Sequence, residues 1–213
     1  MKTNYSIIMA DIIKSRNENP NQLMTKFKSL VNTINKEQKK LILTPLTITL
    51  GDEFQGIASS MENGVNLIFA IEEMIIKRGL NIKLRYVLNY GKIETKINTL
   101  IAHEMLGEGL TYSRKKLESS KKEDQRFKII NNSKENPDEY INEAFSLYQD
   151  IVDNWKAKDL ETVSKFLVFD DYKIVAEKIN TNASSAWRRK KSLKINEYAS
   201  IKKIILHLLE NQL

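Results

Sequence analysis

The feature that most constrains this chain is a change of apolar period that recurs through its first ninety residues. Tyr5–Ala10 (YSIIMA) is an apolar run too short for a helix core, and it reads as a buried strand ended by Asp11. After Pro20, apolar residues at Leu23, Phe27, Leu30, Val31 and Ile34 take the spacing of an amphipathic helix. Leu46–Leu50 (LTITL) alternates apolar residues with threonine, as a half-buried strand does. Gly51-Asp52 then marks a hairpin turn, and Phe54, Ile57 and Ala58 resume the apolar pattern. Met61–Lys77 predicts a second helix, with one stripe through Val65, Ile68, Phe69, Glu72, Ile75 and Ile76 and a stop at Gly79. Ile82–Asn89 alternates again, and Gly91 breaks it. The order is βαββαβ, the ferredoxin-like arrangement, whose sheet packs two helices on one face.

Beyond this unit, Glu108–Lys122 predicts a basic helix and Arg126–Ile130 a further strand. The polar stretch 131–138 (NNSKENPD) is the expected boundary between an α+β domain, 1–133, and an all-helical domain, 134–213. In the second domain every apolar spacing is helical: Tyr140–Trp155, Lys158–Phe169, Tyr172–Ile179, Asn182–Leu193 and Asn196–Leu209. The chain has no cysteine and only two histidines, His103 and His207, far apart. Disulfide scaffolds, cysteine-bound zinc, iron–sulfur clusters and thiol catalysis are thereby excluded. No apolar run approaches the roughly 20 residues of a membrane helix, so a soluble, cytoplasmic protein is expected.

The charge is unevenly placed. Residues 178–213 hold eight bases against two acids, which accounts for six of the seven net positive charges. A basic cluster at one end suggests a module that faces a polyanion, although a solvated helix face gives the same count. Within about 170–194, DYKIVAEKINTNASSAWRRKKSL (171–193) reads as a helix-turn-helix that binds DNA. Ala176 is small enough for two helices to pack closely, and Asn180 suits a left-handed turn. Asn182 is a good N-cap, and Ser184, Ser185, Arg188, Arg189, Lys191 and Lys194 would reach bases and phosphates. Thr181 and Lys190 stand where such motifs usually have apolar residues, and Trp187 where a small polar one is common. Ile201, Ile204, Ile205, Leu208 and Leu209 form one stripe for a core or a dimer surface, with His207 beside it as a structural residue.

Asp11 ends the first strand and Asp52 sits in the hairpin. In a βαββαβ sheet the first and third strands are neighbours, so both carboxylates converge at one edge. Two carboxylates with no basic partner between them repel each other and favour a divalent cation such as Mg²⁺. Glu53 would add a third oxygen ligand, and Lys14 and Arg16 stand where a triphosphate needs positive charge. Taken singly, either aspartate also reads as an ordinary turn or cap residue.

ADIIKSR (10–16), ITLGDEFQG (48–56) and LRYVLNYGKI (84–93) resemble three successive motifs of the bacterial SatD family. GEGLTYSRKKLE (107–118) is similar to a fourth, and the resemblance covers essentially the whole chain. SatD proteins in turn look like the catalytic palm of class III nucleotide cyclases and GGDEF enzymes, followed by a helix-turn-helix. The resemblance implies an α+β, ferredoxin-like, nucleotide-cyclase-like palm and an all-helical DNA-binding domain. It implies metal binding by Asp11, Asp52 and Glu53, nucleotide contacts from Asp11, Ile12, Lys14, Arg16, Gly51, Asp52 and Glu53, and catalytic cations Lys14, Arg85 and Arg114. Arg85 and Gly91 resemble the arginine and glycine of the cyclase strand after the second helix. Segment 111–118 departs from the cyclase pattern in having no asparagine and offers either Arg114 or Lys116 for the arginine role, and one glycine precedes Asp52 where diguanylate cyclases have two, Leu50 replacing the other. The expected protein is a regulator that binds a nucleotide, Mg²⁺ and DNA, as a homodimer and away from membranes. The alternatives are a Mg-dependent nucleotidyl cyclase or transferase, and a DNA-binding protein whose palm serves only dimerisation.

Overall fold

Ser6–Ile12 are buried without interruption, which only a central strand covered on both faces achieves. The computed structural model describes residues 4–14, 19–131 and 138–210; Arg16 and the boundary expected at 133/134 lie outside them. β1 (Asn4–Ile12) pairs antiparallel with β3 (Glu53–Ala58) on one side and with β4 (Leu84–Lys92) on the other. β2 (Ile42–Ile48) adds to β3 at one edge, and β5 (Phe127–Ile130) runs parallel to β4 at the other. The sheet order is β2-β3-β1-β4-β5, the ferredoxin-like order with one further strand.

The helices follow from the periodicity. α1 (Pro20–Glu37) begins where the Asn19 side chain accepts from the amides of Asn21 and Gln22, with proline in its first turn. α2 (Met61–Lys77) is capped by Ser60 and presents Val65, Ile68, Phe69, Ile75 and Ile76 to the sheet. Both pack on the face formed by Ile8, Ala10 and Ile12. The opposite face, with Ile7, Met9, Ile57 and Val87, is not open: α3 (Glu108–Ser119) covers it through Leu117, helped by Ile93, Ala102 and Met105.

Two boundary expectations are corrected. Asp11 does not end β1, because the strand continues to Ile12, whose amide donates to the Asp52 carbonyl at 2.9 Å. Gly91 does not break β4 but pairs with Tyr5 inside it. Its role is close approach: a Cβ at Gly91 would lie 2.7 Å from the Gly109 Cα, so the pair of glycines lets α3 touch the sheet backbone.

The C-terminal helices are α4 (Asp138–Asp153), α5 (Leu160–Phe166), α6 (Tyr172–Lys178), α7 (Ala183–Ser192) and α8 (Ile195–Glu210). The single helix expected over Lys158–Phe169 is instead a 3-10 turn, Ala157–Asp159, followed by α5. One hydrophobic cluster runs from the sheet into this part, joining Phe69, Tyr86 and Phe127 to Phe145, Tyr148 and Tyr198. The rings of Tyr86 and Phe127 stack 5.4 Å apart, and Phe127 lies 5.2 Å from Phe145 and 5.3 Å from Tyr148. Among the described residues, no helix is long and apolar enough to cross a membrane.

Candidate functional site

Directly paired residues on neighbouring strands project to the same face of a sheet. Asp11 pairs with Glu53 on β3 and with Arg85 on β4, so the three form a row across one end of the sheet. They share the α3 face, beyond the last apolar layer of Met9 and Val87. Gly51, at φ +85°, lets the hairpin turn tightly enough for Asp52 to follow beside Ile12.

The row is a set of ion pairs. The Nη1 of Arg85 donates to both carboxylate oxygens of Asp11 at 3.1 Å, and both side chains are more than nine-tenths buried. The Nζ of Lys121, just after α3, stands 3.9 Å from the same carboxylate. Glu53 accepts from Arg114 at 2.9 Å and from the Thr49 hydroxyl at 3.1 Å. The expectation of carboxylates without a basic partner is therefore corrected for two of the three: Arg85 and Lys121 stand beside Asp11, and Arg114 beside Glu53. The cause is the register, which sets Arg85 opposite Asp11 and lays α3 over both.

Burial pushes the Asp11 carboxyl above its ordinary value, Arg85 and Lys121 pull it back, and the charge of Asp52 pushes it up again. The net shift is upward. A raised carboxyl keeps its proton more firmly in the folded chain, so its contribution to stability is complete below the unfolded value near 3.8 and is lost as pH rises through the folded value. Urea unfolding of Asp11→Asn from about pH 4 to 7 should show a flatter fall in stability across that window than wild type. Equal slopes would assign the dependence to another group.

Asp11, Asp52 and Glu53 are hard oxygen donors, the kind Mg²⁺ prefers. As paired in this structure they do not form a cage: among the described residues, no group of three or more acidic or histidine side chains is placed to hold a metal ion. The donor set suits the cation; the pairing does not.

The row borders a cavity of about 1010 Å³. Asp11, Ile12, Lys14, Asp52, Arg85 and Lys121 line one side, so most of the expected nucleotide residues meet there. Leu23, Ile75, Ile76, Leu80 and Ile82 give it an apolar wall, and Val152, Trp155 and Leu160 extend that wall into the C-terminal helices. Lys14 reaches the cavity from a left-handed backbone position, φ +58°. Lys121 falls inside the basic helix expected over Glu108–Lys122, where nothing in the charge pattern sets it apart from its neighbours; the helix instead ends at Ser119, and Lys121 lies in the 3-10 turn after it.

A second buried cluster was also missed. Arg126 donates to Glu72 at 2.7 Å, to Asp153 at 3.0 Å and to the Leu84 carbonyl at 3.0 Å, while the Tyr86 hydroxyl donates to Glu72 at 2.8 Å. Its signal was available: Glu72 stands inside the apolar stripe of α2, and a buried carboxylate requires a partner.

At the basic end, α6 and α7 meet through Ala176 and Ala186, both buried, and the turn between them passes through Asn180 at φ +51°. Asn182 caps α7, accepting from the Ser185 amide at 2.8 Å. Ser184, Arg188 and Lys191 are exposed, and the Lys191 ammonium sits 4.1 Å over the Trp187 ring. Arg189 donates to Asp159 at 2.6 Å and Lys194 to Asp150 at 3.4 Å, so both are engaged within the chain. The Trp155 indole donates to the carbonyl of Leu193, the residue that ends α7, at 2.9 Å.

Fold and site define a five-stranded α+β chain with an acid–base row at one end of its sheet and a helical C-terminal part sharing its core. The chain belongs to the SatD family, whose sequence model matches residues 5–209. No curated protein matches it. Among solved structures, it is similar to a bacterial light-regulated adenylyl cyclase, at 12% identity and a TM-score of 0.45, over 60% of this chain and 75% of that one. It is similar to the dimeric guanylyl cyclase domain of a fusion protein from the aquatic fungus Blastocladiella emersonii, at 19% identity and TM-score 0.40, over 53% and 72%. An adenylate cyclase of Trypanosoma brucei is similar at 10% identity and TM-score 0.40, over 53% and 68%.

Proposed function

We propose that the chain is a regulator that binds a nucleoside phosphate with Mg²⁺ in the cavity beside Asp11 and contacts DNA through α6 and α7. One observation carries the nucleotide reading. A cavity of about 1010 Å³ is lined by Lys14, Arg85 and Lys121, with carboxylates such as Asp11, Asp52, Glu123 and Asp124 among them, and by a set of apolar side chains. Cations suit the phosphates, and the wall suits the flat face of a base. Asp11 and Asp52 would hold the metal, which would neutralise phosphate charge when bound. Arg114 orients Glu53 beside them. The DNA reading rests on the left-handed turn at Asn180, the cap at Asn182 and the exposed Arg188 and Lys191.

Calorimetric titration of each nucleoside triphosphate with Mg²⁺ tests the first part. Wild type should bind and Asp52→Asn should lose at least tenfold in affinity; no metal-dependent binding by wild type would sink the reading. Chromatography of the same mixtures separates binding from turnover, because a cyclic or linear product would favour the enzyme alternative. For DNA, Arg188→Ala combined with Lys191→Ala should weaken binding and reduce the slope of log K against log salt by about 2. An unchanged slope would remove α7 from the interface.

A further inference from the structure

Three carboxylates, Asp11, Asp52 and Glu53, and three cationic side chains, Arg85, Arg114 and Lys121, meet at the end of the sheet, with Lys14 opening on the same cavity. A bare divalent cation entering this rim would meet positive charge already in place, and it would have to displace Arg85 from both oxygens of Asp11. A bare triphosphate would meet the carboxylates instead. The two together carry much less charge than the triphosphate alone, so each should ease the entry of the other.

Arg85 carries the sign that it is built to change partners. It is 8% exposed and lines the cavity, yet its Nε has no hydrogen-bond acceptor among the described residues. Among the described residues, its hydrogen bonds come from one nitrogen, Nη1, and go to Asp11. A buried donor left unmatched is unfavourable, and the planar fork of arginine fits two oxygens of one phosphate. We propose that Arg85 is an exchangeable counter-ion. Without ligand it occupies Asp11 and closes that carboxylate to metal; when a phosphate group enters, the guanidinium turns to it and Asp11 is released to a divalent cation. Lys121, held by Glu118 at 2.5 Å and standing 3.9 Å from Asp11, keeps positive charge beside the exchange. This rests on the nucleotide reading above, and it adds an order to that reading: phosphate admits metal, and metal alone binds poorly.

Mn²⁺ serves as the probe, because its electron paramagnetic resonance signal reports the free ion. The full chain, Arg85→Met and Arg85→Met/Asp11→Asn are titrated with Mn²⁺ alone, with folding checked by circular dichroism. Arg85→Met should bind Mn²⁺ at least tenfold more tightly than wild type, and the double variant should lose the gain. Mn²⁺ should also raise the Tm of Arg85→Met more than that of wild type. Should the methionine variant fail to fold, Arg85→Lys, which keeps the charge but not the two-oxygen contact, should still show a severalfold gain. A parallel titration of wild type with a fluorescent ATP analogue and Mg²⁺ separates the two levels. If the analogue binds but neither Arg85 variant gains affinity for Mn²⁺, the exchange is wrong and the nucleotide reading survives. If wild type binds no nucleotide, both fall.

Discussion

Arg126→Met is expected to destabilise the protein by about 3–5 kcal/mol, the effect of leaving a buried charge without its partner. Arg126 is 4% exposed and joins four elements: Glu72 on α2, Asp153 at the end of α4, the Leu84 carbonyl on β4, and its own strand-leading position before β5. Burial works against its charge, but Glu72 and Asp153 outweigh burial and hold the guanidinium charged beyond the ordinary arginine range. Removing it strands Glu72, whose remaining hydrogen-bond partner among the described residues is the Tyr86 hydroxyl. Adding Glu72→Leu to Arg126→Met should recover part of the loss, since the carboxylate then no longer needs a counter-charge. Urea unfolding of both variants decides it; a loss below about 1 kcal/mol for Arg126→Met would mean that water or relaxation replaces the network.

The second large effect belongs to Phe127→Ala, at about 3–5 kcal/mol, or roughly 6–20 °C in Tm. Phe127 is fully buried between Tyr86 on the sheet and Phe145 and Tyr148 on α4, so its loss opens a cavity where the sheet meets the C-terminal helices. The position also tests cooperativity. If the sheet and the helices unfold as one unit, hydrogen exchange in β1 and in α8 should accelerate together in this variant. Acceleration confined to the helices would show two units that happen to touch.

Much of this fold is legible in the sequence because its elements bury single, regular faces. α1 and α2 declare themselves by apolar spacing, and β1 by an unbroken apolar run that suits only a central strand. The covering of the second face is not legible in that way. α3 reaches the sheet through the paired glycines Gly91 and Gly109, and a glycine in a strand pattern reads locally as a break. The place of β5 is equally hidden: Asn142 on α4 exchanges hydrogen bonds with the backbone of Ile129, a contact across 13 residues that no periodicity records. At the site, strand order is enough to bring Asp11 toward Asp52, but pairing Asp11 with Arg85 requires the register between positions 74 residues apart. For the same reason Arg189, which reads as one more exposed base on a basic helix, turns out to hold Asp159.

The placing of the two tryptophans gives this chain its own optical reporters. Trp155 is 8% exposed and forms part of the cavity wall, whereas Trp187 is 44% exposed on α7 beneath Lys191. Their environments differ enough that Trp155 should emit at the blue end and resist quenching by iodide, while Trp187 should emit at the red end and be quenched readily. Trp187→Phe leaves an emission that watches the cavity, and Trp155→Phe leaves one that watches the basic helix. Events at the two ends of the molecule can thus be followed separately, in real time, without attaching a dye to either.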